Sequence, residues 1–329
     1  MSTALVRHDG GGLHRARSWS KLPSDERRRI AVEAAQRHDA ATLQELADAW
    51  LTIHGEAGAL VSPHTRSSYR RGVAVLLEAW REENLLHPRD DAGALWLREM
   101  EHVGLKPATV RARLAAARVL YGALRWSKAT DANPFTDARP ARDKTAAKDK
   151  RGPYTPEDLR AIIAGLDDTI RTAAPAARTM ALYDRVLILL GAHAGLRASE
   201  MMDLRWRAAD VSRRTVIVER GKGGKRRQVV MSGSLAAALS AIPEAMRGEF
   251  VLPYRTRTSA WARVKALTER AGITQHGLHR LRHSAGTRMM AETHNLQEVA
   301  ELLGHAQLDT ARVYVAWAND TQQKTVGAW

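Results

Sequence analysis

His279-Arg280-Leu281-Arg282-His283, followed by Leu302-Leu303-Gly304-His305 and then by Tyr314, is the stretch on which the reading of this chain turns. Upstream stands Ala194-Gly195-Leu196-Arg197-Ala198-Ser199-Glu200. In order, these segments supply an arginine, a histidine, a second arginine, a second histidine and a tyrosine, the last nine residues after His305. Two guanidiniums can each grip non-bridging phosphate oxygens in bidentate fashion. Together they offset the charge that builds on a pentacoordinate phosphorus. A tyrosine hydroxyl is a nucleophile able to hold a cut strand as a phosphoester. The set suits cleavage of a phosphodiester by a protein hydroxyl without a metal.

Each piece is weak alone, and the order and spacing give the set its meaning. His279 and Arg282 lie three apart, so a helix puts them on one face. His283, four residues after His279, raises a metal site as an alternative. No carboxylate completes such a site, and Arg280, Arg282 and Arg288 surround it with charge that repels a divalent cation. His283 is therefore assigned to packing or capping. His305 follows Gly304 at a helix end, where it can donate to phosphate. Tyr314 has Val313, Val315 and Trp317 beside it for packing, and Glu200 stands either to orient Arg197 or as a plain helix N-terminal charge.

Around this stretch the apolar spacing is helical, with segments expected near 156, 178–194, 234–241, 257–271, 278–292, 295–303 and 308–318. Thr155-Pro156-Glu157-Asp158 carries a capping signature. The period changes once. Thr215-Val216-Ile217-Val218 and Arg227-Gln228-Val229-Val230-Met231 read as strands joined by Gly221-Lys222-Gly223-Gly224-Lys225, a hairpin. Seven Lys/Arg against one Glu lie between Arg213 and Arg227. Glycines there let the backbone approach a duplex closely.

The first half shows no strands. Helices are expected from Thr42, from Ser62-Pro63 (cap and first position), around Ala92–Val103, and after Lys106-Pro107. The last carries Val110, Leu114, Ala117, Leu120, Tyr121 and Leu124 on one face. Residues 1–38, polar and rich in Gly and Arg at first, read as a flexible or partly helical arm. Residues 138–152 hold six Lys/Arg, two Asp, one Pro and one Gly, a linker composition.

The 329 residues allow two domains, and 51 Lys+Arg against 36 Asp+Glu give a net +15. Such an excess points to a polyanionic partner. With no cysteine there is no disulfide, thiolate nucleophile or zinc–thiolate site. The first twelve residues lack the apolar core of a signal peptide, and the apolar run Val186–Leu190 is too short to span a bilayer. A cytoplasmic, nucleoid-associated protein is expected.

The ordered set resembles the tyrosine recombinase (phage integrase) family, whose pattern is Arg, Lys, His-x-x-Arg, His/Trp and Tyr. Ser62-x-x-Thr65-x-x-x-Tyr69, Ala108-Thr109-Val110-x-x-x-Leu114 and Asn133-Pro134 are similar to Xer-type proteins. The resemblance implies a mainly α protein of two domains. An all-α, four-helix, SAM-like core-binding domain would occupy 39–137, after an arm at 1–38. A basic linker at 138–152 would lead to a mainly helical catalytic domain with a small antiparallel sheet at 153–329.

The resemblance further implies Arg197 and Arg282 as phosphate clamps, His279 as an acid/base or phosphate donor, His305 as a further donor and Tyr314 as nucleophile. It implies Lys222 as the acid that protonates the leaving 5′ oxygen, with Lys225 as its competitor. The substrate would be double-stranded DNA, handled without cofactor or metal. The partner would be a second copy in a tetrameric synapse on DNA, or a related recombinase, with no membrane involved. Type IB topoisomerase-like strand relaxation and a degenerate DNA-binding accessory protein are the alternatives.

Overall fold

Gly10–Lys21 (α1) and Ser24–Gln36 (α2) open the chain in the computed structural model, which describes residues 10–142, 152–219, 226–274, 276–304 and 312–318. They are followed by Ala40–His54 (α3), Pro63–Ala79 (α4), Ala92–His102 (α5) and Pro107–Trp126 (α6). Contacts divide the chain into two units, Met1–Lys144 and Thr145–Trp329.

In the first unit α6 is the central helix, packed on α3 and α4. Its expected apolar face, Val110, Leu114, Ala117, Leu120, Tyr121 and Leu124, is buried throughout. The α4 crossing is close because Gly72 has no side chain: a Cβ there would sit 2.4 Å from the Ala116 Cβ. The Asp39 side chain accepts from the Ala41 and Thr42 amides at the start of α3. Ser62 does the same for the Thr65 amide at α4, with Pro63 in the first turn.

Trp80, Trp96, Tyr121 and Phe135 form an aromatic knot, and the Tyr121 hydroxyl donates to the Leu85 carbonyl at 3.0 Å. The four helices expected over residues 39–137 are α3 to α6, and residues 10–36, within the segment expected as a flexible or partly helical arm, form two further helices. α1 packs on α3 through buried Ala16 and Trp19, while α2 buries Ala31, Ala34 and Ala35. An apolar face made mostly of alanine carries too little contrast to stand out among the arginines.

The second unit is built on Pro175–Ala192 (α8), whose Val186-Leu187-Ile188-Leu189-Leu190 run is entirely buried. Around it lie Pro156–Thr172 (α7), Gly233–Ser240 (α10), Arg257–Arg270 (α11) and Leu278–Thr293 (α12). The Thr155–Asp158 capping box opens α7 as expected. Ala198–Asp203 (α9), Leu296–Leu303 (α13) and a helix at 312–318 (α14) complete the helical part.

Buried Asp184 on α8 accepts from the Tyr254 hydroxyl at 2.5 Å and from Arg263 Nε at 3.1 Å, tying α8 to α11. The strands Ala209–Asp210 (β1), Thr215–Val218 (β2) and Arg227–Val230 (β3) make an antiparallel sheet in the order β1-β2-β3, with Val216 opposite Val229. Val216, Val218 and Val229 face the core, whereas Val230 is 69% exposed, the alternation of a one-sided sheet. The hairpin tip that joins β2 to β3, including Lys222 and Lys225, lies outside the described residues.

Candidate active site

α8 ends in a turn that only glycine suits well: Gly195 has φ +64°, and a Cβ there would lie 2.6 Å from Leu303 Cδ2. The turn delivers Arg197 as the residue that caps α9. Its Nη1 donates to Glu200 Oε1 at 2.9 Å, its backbone amide to Glu200 Oε2 at 2.8 Å, and its Nη2 to the Gly304 carbonyl at 3.2 Å. Glu200 is buried and serves a second arginine as well. Arg227 of β3 reaches both its oxygens, at 2.8 and 2.7 Å.

Burial alone would raise the Glu200 pKa. The hydrogen bonds from Arg227 and from the Arg197 amide and side chain outweigh it, and the carboxyl is held down to about 2. The Arg227 side chain also lies where a Cβ on Gly304 would be, 2.9 Å from its Cδ. One carboxylate therefore ties the turn after α8, strand β3 and the end of α13 into a single block.

On α12, Arg282 is 1% exposed, and its two terminal nitrogens donate to the carbonyls of Gly195 at 2.6 Å and Leu303 at 2.5 Å. A guanidinium carries five N–H donors, and these two bonds use two of them. Burial and then the neighbouring Arg197 charge bring its pKa down to about 10, which leaves it protonated at neutral pH.

His279 is one turn earlier on the same helix, its outer side open to solvent. Partial desolvation, followed by the charges of Arg282, Arg257 and Arg197, holds its pKa below the usual histidine value, so it is neutral near pH 7. His279, His283, His276 and Arg197 line a cavity of about 670 Å³ together with Ser199, Arg255 and Arg257. Those last two arginines were not singled out from the sequence, because scattered arginines in so basic a chain give no signal.

Tyr314 sits on α14 and is 2% exposed, its ring packed against Gly286, where a Cβ would come within 2.6 Å of Cε1. Burial raises the phenol to about 12 despite the opposing charges of Arg282 and Arg197. Its hydroxyl is hydrogen-bonded with His283 Nδ1 at 3.1 Å. His283 had been assigned to packing or capping, and it does pack, with its ring 4.5 Å from that of His279 and 4.7 Å from that of Trp317. Sequence gave no hint of the tyrosine contact, which spans 31 residues.

The structure thus brings Arg197, His279, Arg282 and Tyr314 to one place in the second unit. His305, like Lys222, lies outside the described residues, although Gly304 immediately before it closes on Arg197. Among the described residues there is no cluster of three His, Asp or Glu side chains able to hold a metal ion. Nor is any helix long and apolar enough to cross a membrane.

Comparison with known proteins covers both units. Residues 155–320 match the model of the phage integrase family, and residues 58–128 match that of the phage integrase N-terminal SAM-like domain. The chain is 32% identical over 268 residues to tyrosine recombinase XerC of Xanthomonas campestris pv. campestris (strain B100), covering 77% of this chain and 79% of the relative. It is 32% identical over 286 residues to the XerC of Xylella fastidiosa (strain 9a5c), covering 81% and 90% respectively.

Among solved structures, the XerH site-specific recombinase bound to its palindromic difH substrate superposes with a TM-score of 0.62 at 18% identity, covering 97% of this chain and 94% of that one. A lambda integrase dimer bound to a COC′ core site gives 0.63 at 15%, covering 82% and 75%. At those identities the superpositions speak for the fold.

Proposed function

Because this chain belongs to the phage integrase, or tyrosine recombinase, family, we propose that it is a site-specific recombinase that cleaves and rejoins duplex DNA through a 3′-phosphotyrosyl intermediate. The observation that carries the reading is that Arg197 and His279 line one cavity, with the buried Arg282 guanidinium and the Tyr314 hydroxyl close behind them. Arg197 and Arg282 hold the non-bridging oxygens of the scissile phosphate and stabilise the charge on pentacoordinate phosphorus. Each is anchored by a group that is not substrate: Arg197 by Glu200, and Arg282 by two backbone carbonyls.

His279, neutral and at the cavity rim, donates to or accepts from the phosphate, with His305 as a second donor. Tyr314 attacks phosphorus, the P–O5′ bond breaks, and Lys222 protonates the leaving oxygen, with Lys225 as the competing assignment. A 5′ hydroxyl from a partner duplex reverses the step and exchanges strands. The phosphoester conserves the bond energy, so no nucleotide cofactor is needed.

Residues 39–137 form the core-binding domain, joined by the basic linker at 138–152 to the catalytic domain at 153–329. The working assembly is a tetrameric synapse of this chain, alone or with a related recombinase, on DNA in the cytoplasm.

Two labelled duplexes carrying the recognition site test this reading. Exchange of label between them in excess EDTA is expected. Relaxation of a supercoiled plasmid with no exchange would instead favour a type IB topoisomerase, and a strict need for Mg²⁺ in the chemical step would overturn the metal-free mechanism.

A further inference from the structure

A tyrosine attacks phosphorus only as its proton leaves, and the surroundings of Tyr314 make that proton hard to lose. The hydroxyl is buried and its pKa stands at about 12. Solvent cannot take the proton directly. His283 Nδ1 lies at hydrogen-bonding distance, 3.1 Å away. In the tautomer protonated on Nε2, Nδ1 accepts from the tyrosine hydroxyl. His283 is only half-buried, and it lines the same cavity as Arg197 and His279. It therefore connects the buried oxygen with the space where the phosphate is to lie. Its ring is fixed edge-on between His279 and Trp317, which leaves little freedom to swing away.

From this juxtaposition we infer that His283 is a catalytic residue, the proton acceptor for the Tyr314 nucleophile. The inference rests on the assignment of Tyr314 as nucleophile made above. As the Tyr314 oxygen forms its bond to phosphorus, its proton passes to His283 Nδ1, the P–O5′ bond breaks, and O5′ takes its own proton from the hairpin lysine. In the reverse step the tyrosine oxygen leaves phosphorus and recovers the proton from His283.

The charged and titratable groups that share this wall are His279 and Arg280 on α12, Arg197 at the start of α9, Asp203 at its end, Arg257 on α11, and Arg255 and His276 in the adjoining loops. The cations oppose a positive imidazolium there. The bound phosphate supplies the balancing negative charge, so proton transfer is favoured only when substrate is in place.

The test is single-turnover covalent capture of a nicked suicide substrate by the full chain, with DNA binding measured in parallel. His283→Asn keeps a hydrogen-bond acceptor near the Nδ1 position but cannot take up a proton. Its capture rate is expected to fall by about 10²–10⁴, the usual worth of a general base, with binding unchanged. His283→Gln provides the same comparison should the Asn variant fail to fold.

Replacing Tyr314 with a ring-fluorinated tyrosine, whose proton leaves more readily, is expected to remove most of that deficit. A merely structural histidine would leave the deficit unchanged. Wild-type capture by His283→Asn or His283→Gln overturns the inference, and so does a deficit insensitive to fluorination. Persistent capture by Tyr314→Phe would instead overturn the nucleophile itself, so the two failures are told apart.

Discussion

Glu200 shows how much of the site rests on a residue that does no chemistry. It is buried and holds Arg197 and Arg227 simultaneously. Removing one member of such a buried network leaves uncompensated charge, which costs about 3–5 kcal/mol. Glu200→Gln should therefore lower the unfolding free energy by that order in denaturant titrations, and slow capture by loosening Arg197. Its folded pKa, about 2, lies below the ordinary 4.5. The stabilisation is thus fully present above about pH 4.5 and lost as the pH falls towards 2. The wild type should lose melting temperature across that interval, and the Gln variant should lose much less; equal losses would remove Glu200 from the account. A second test at this scale concerns Lys222. A substrate with sulfur in place of the 5′ oxygen needs no acid, so it should restore near-wild-type cleavage to Lys222→Ala and leave Arg197→Ala slow. Rescue of Lys225→Ala and not of Lys222→Ala would move the acid to the other lysine.

At the scale of elements, the site depends on how closely α12 meets its neighbours. Gly191 on α8 lies against Leu281, and Gly286 on α12 lies against Tyr314. A methyl group at Gly286 would sit 2.6 Å from the tyrosine ring and push α14 outwards. Gly286→Ala should therefore cost about 1–3 kcal/mol and depress covalent capture while DNA affinity stays near wild type. An unchanged capture rate would show that α14 is free to shift without consequence. The same elements show what the sequence could disclose. The strands at 215–218 and 227–230 were legible because their period and their glycine-rich connection are local. The helix bearing His279 and Arg282 was legible because a spacing of three is local too. α1 and α2 were legible only as a flexible or partly helical arm, since their buried faces are chiefly alanine. Nor was the pairing of His283 with Tyr314, or of Arg227 with Glu200, since each joins residues from separate elements and only folding sets them side by side.

At the scale of the whole molecule, the dominant quantity is the net charge of +15. Lysines and arginines that neutralise phosphates release condensed counterions, so affinity should fall linearly in log–log plots against salt. If roughly six to ten phosphates are contacted, about 10³–10⁵ in affinity should be lost between about 50 and 200 mM salt. A nearly flat titration would contradict DNA as the polyanion that this charge serves. The central claim is narrower, namely that one hydroxyl of the second unit becomes esterified to the cut strand. It is tested most directly by trapping the chain on a nicked suicide substrate, digesting the complex, and locating the nucleotide adduct by peptide mass spectrometry. The account predicts a single adduct, a 3′-phosphate ester on Tyr314. An adduct on any other residue, or on the 5′ side of the break, would contradict it.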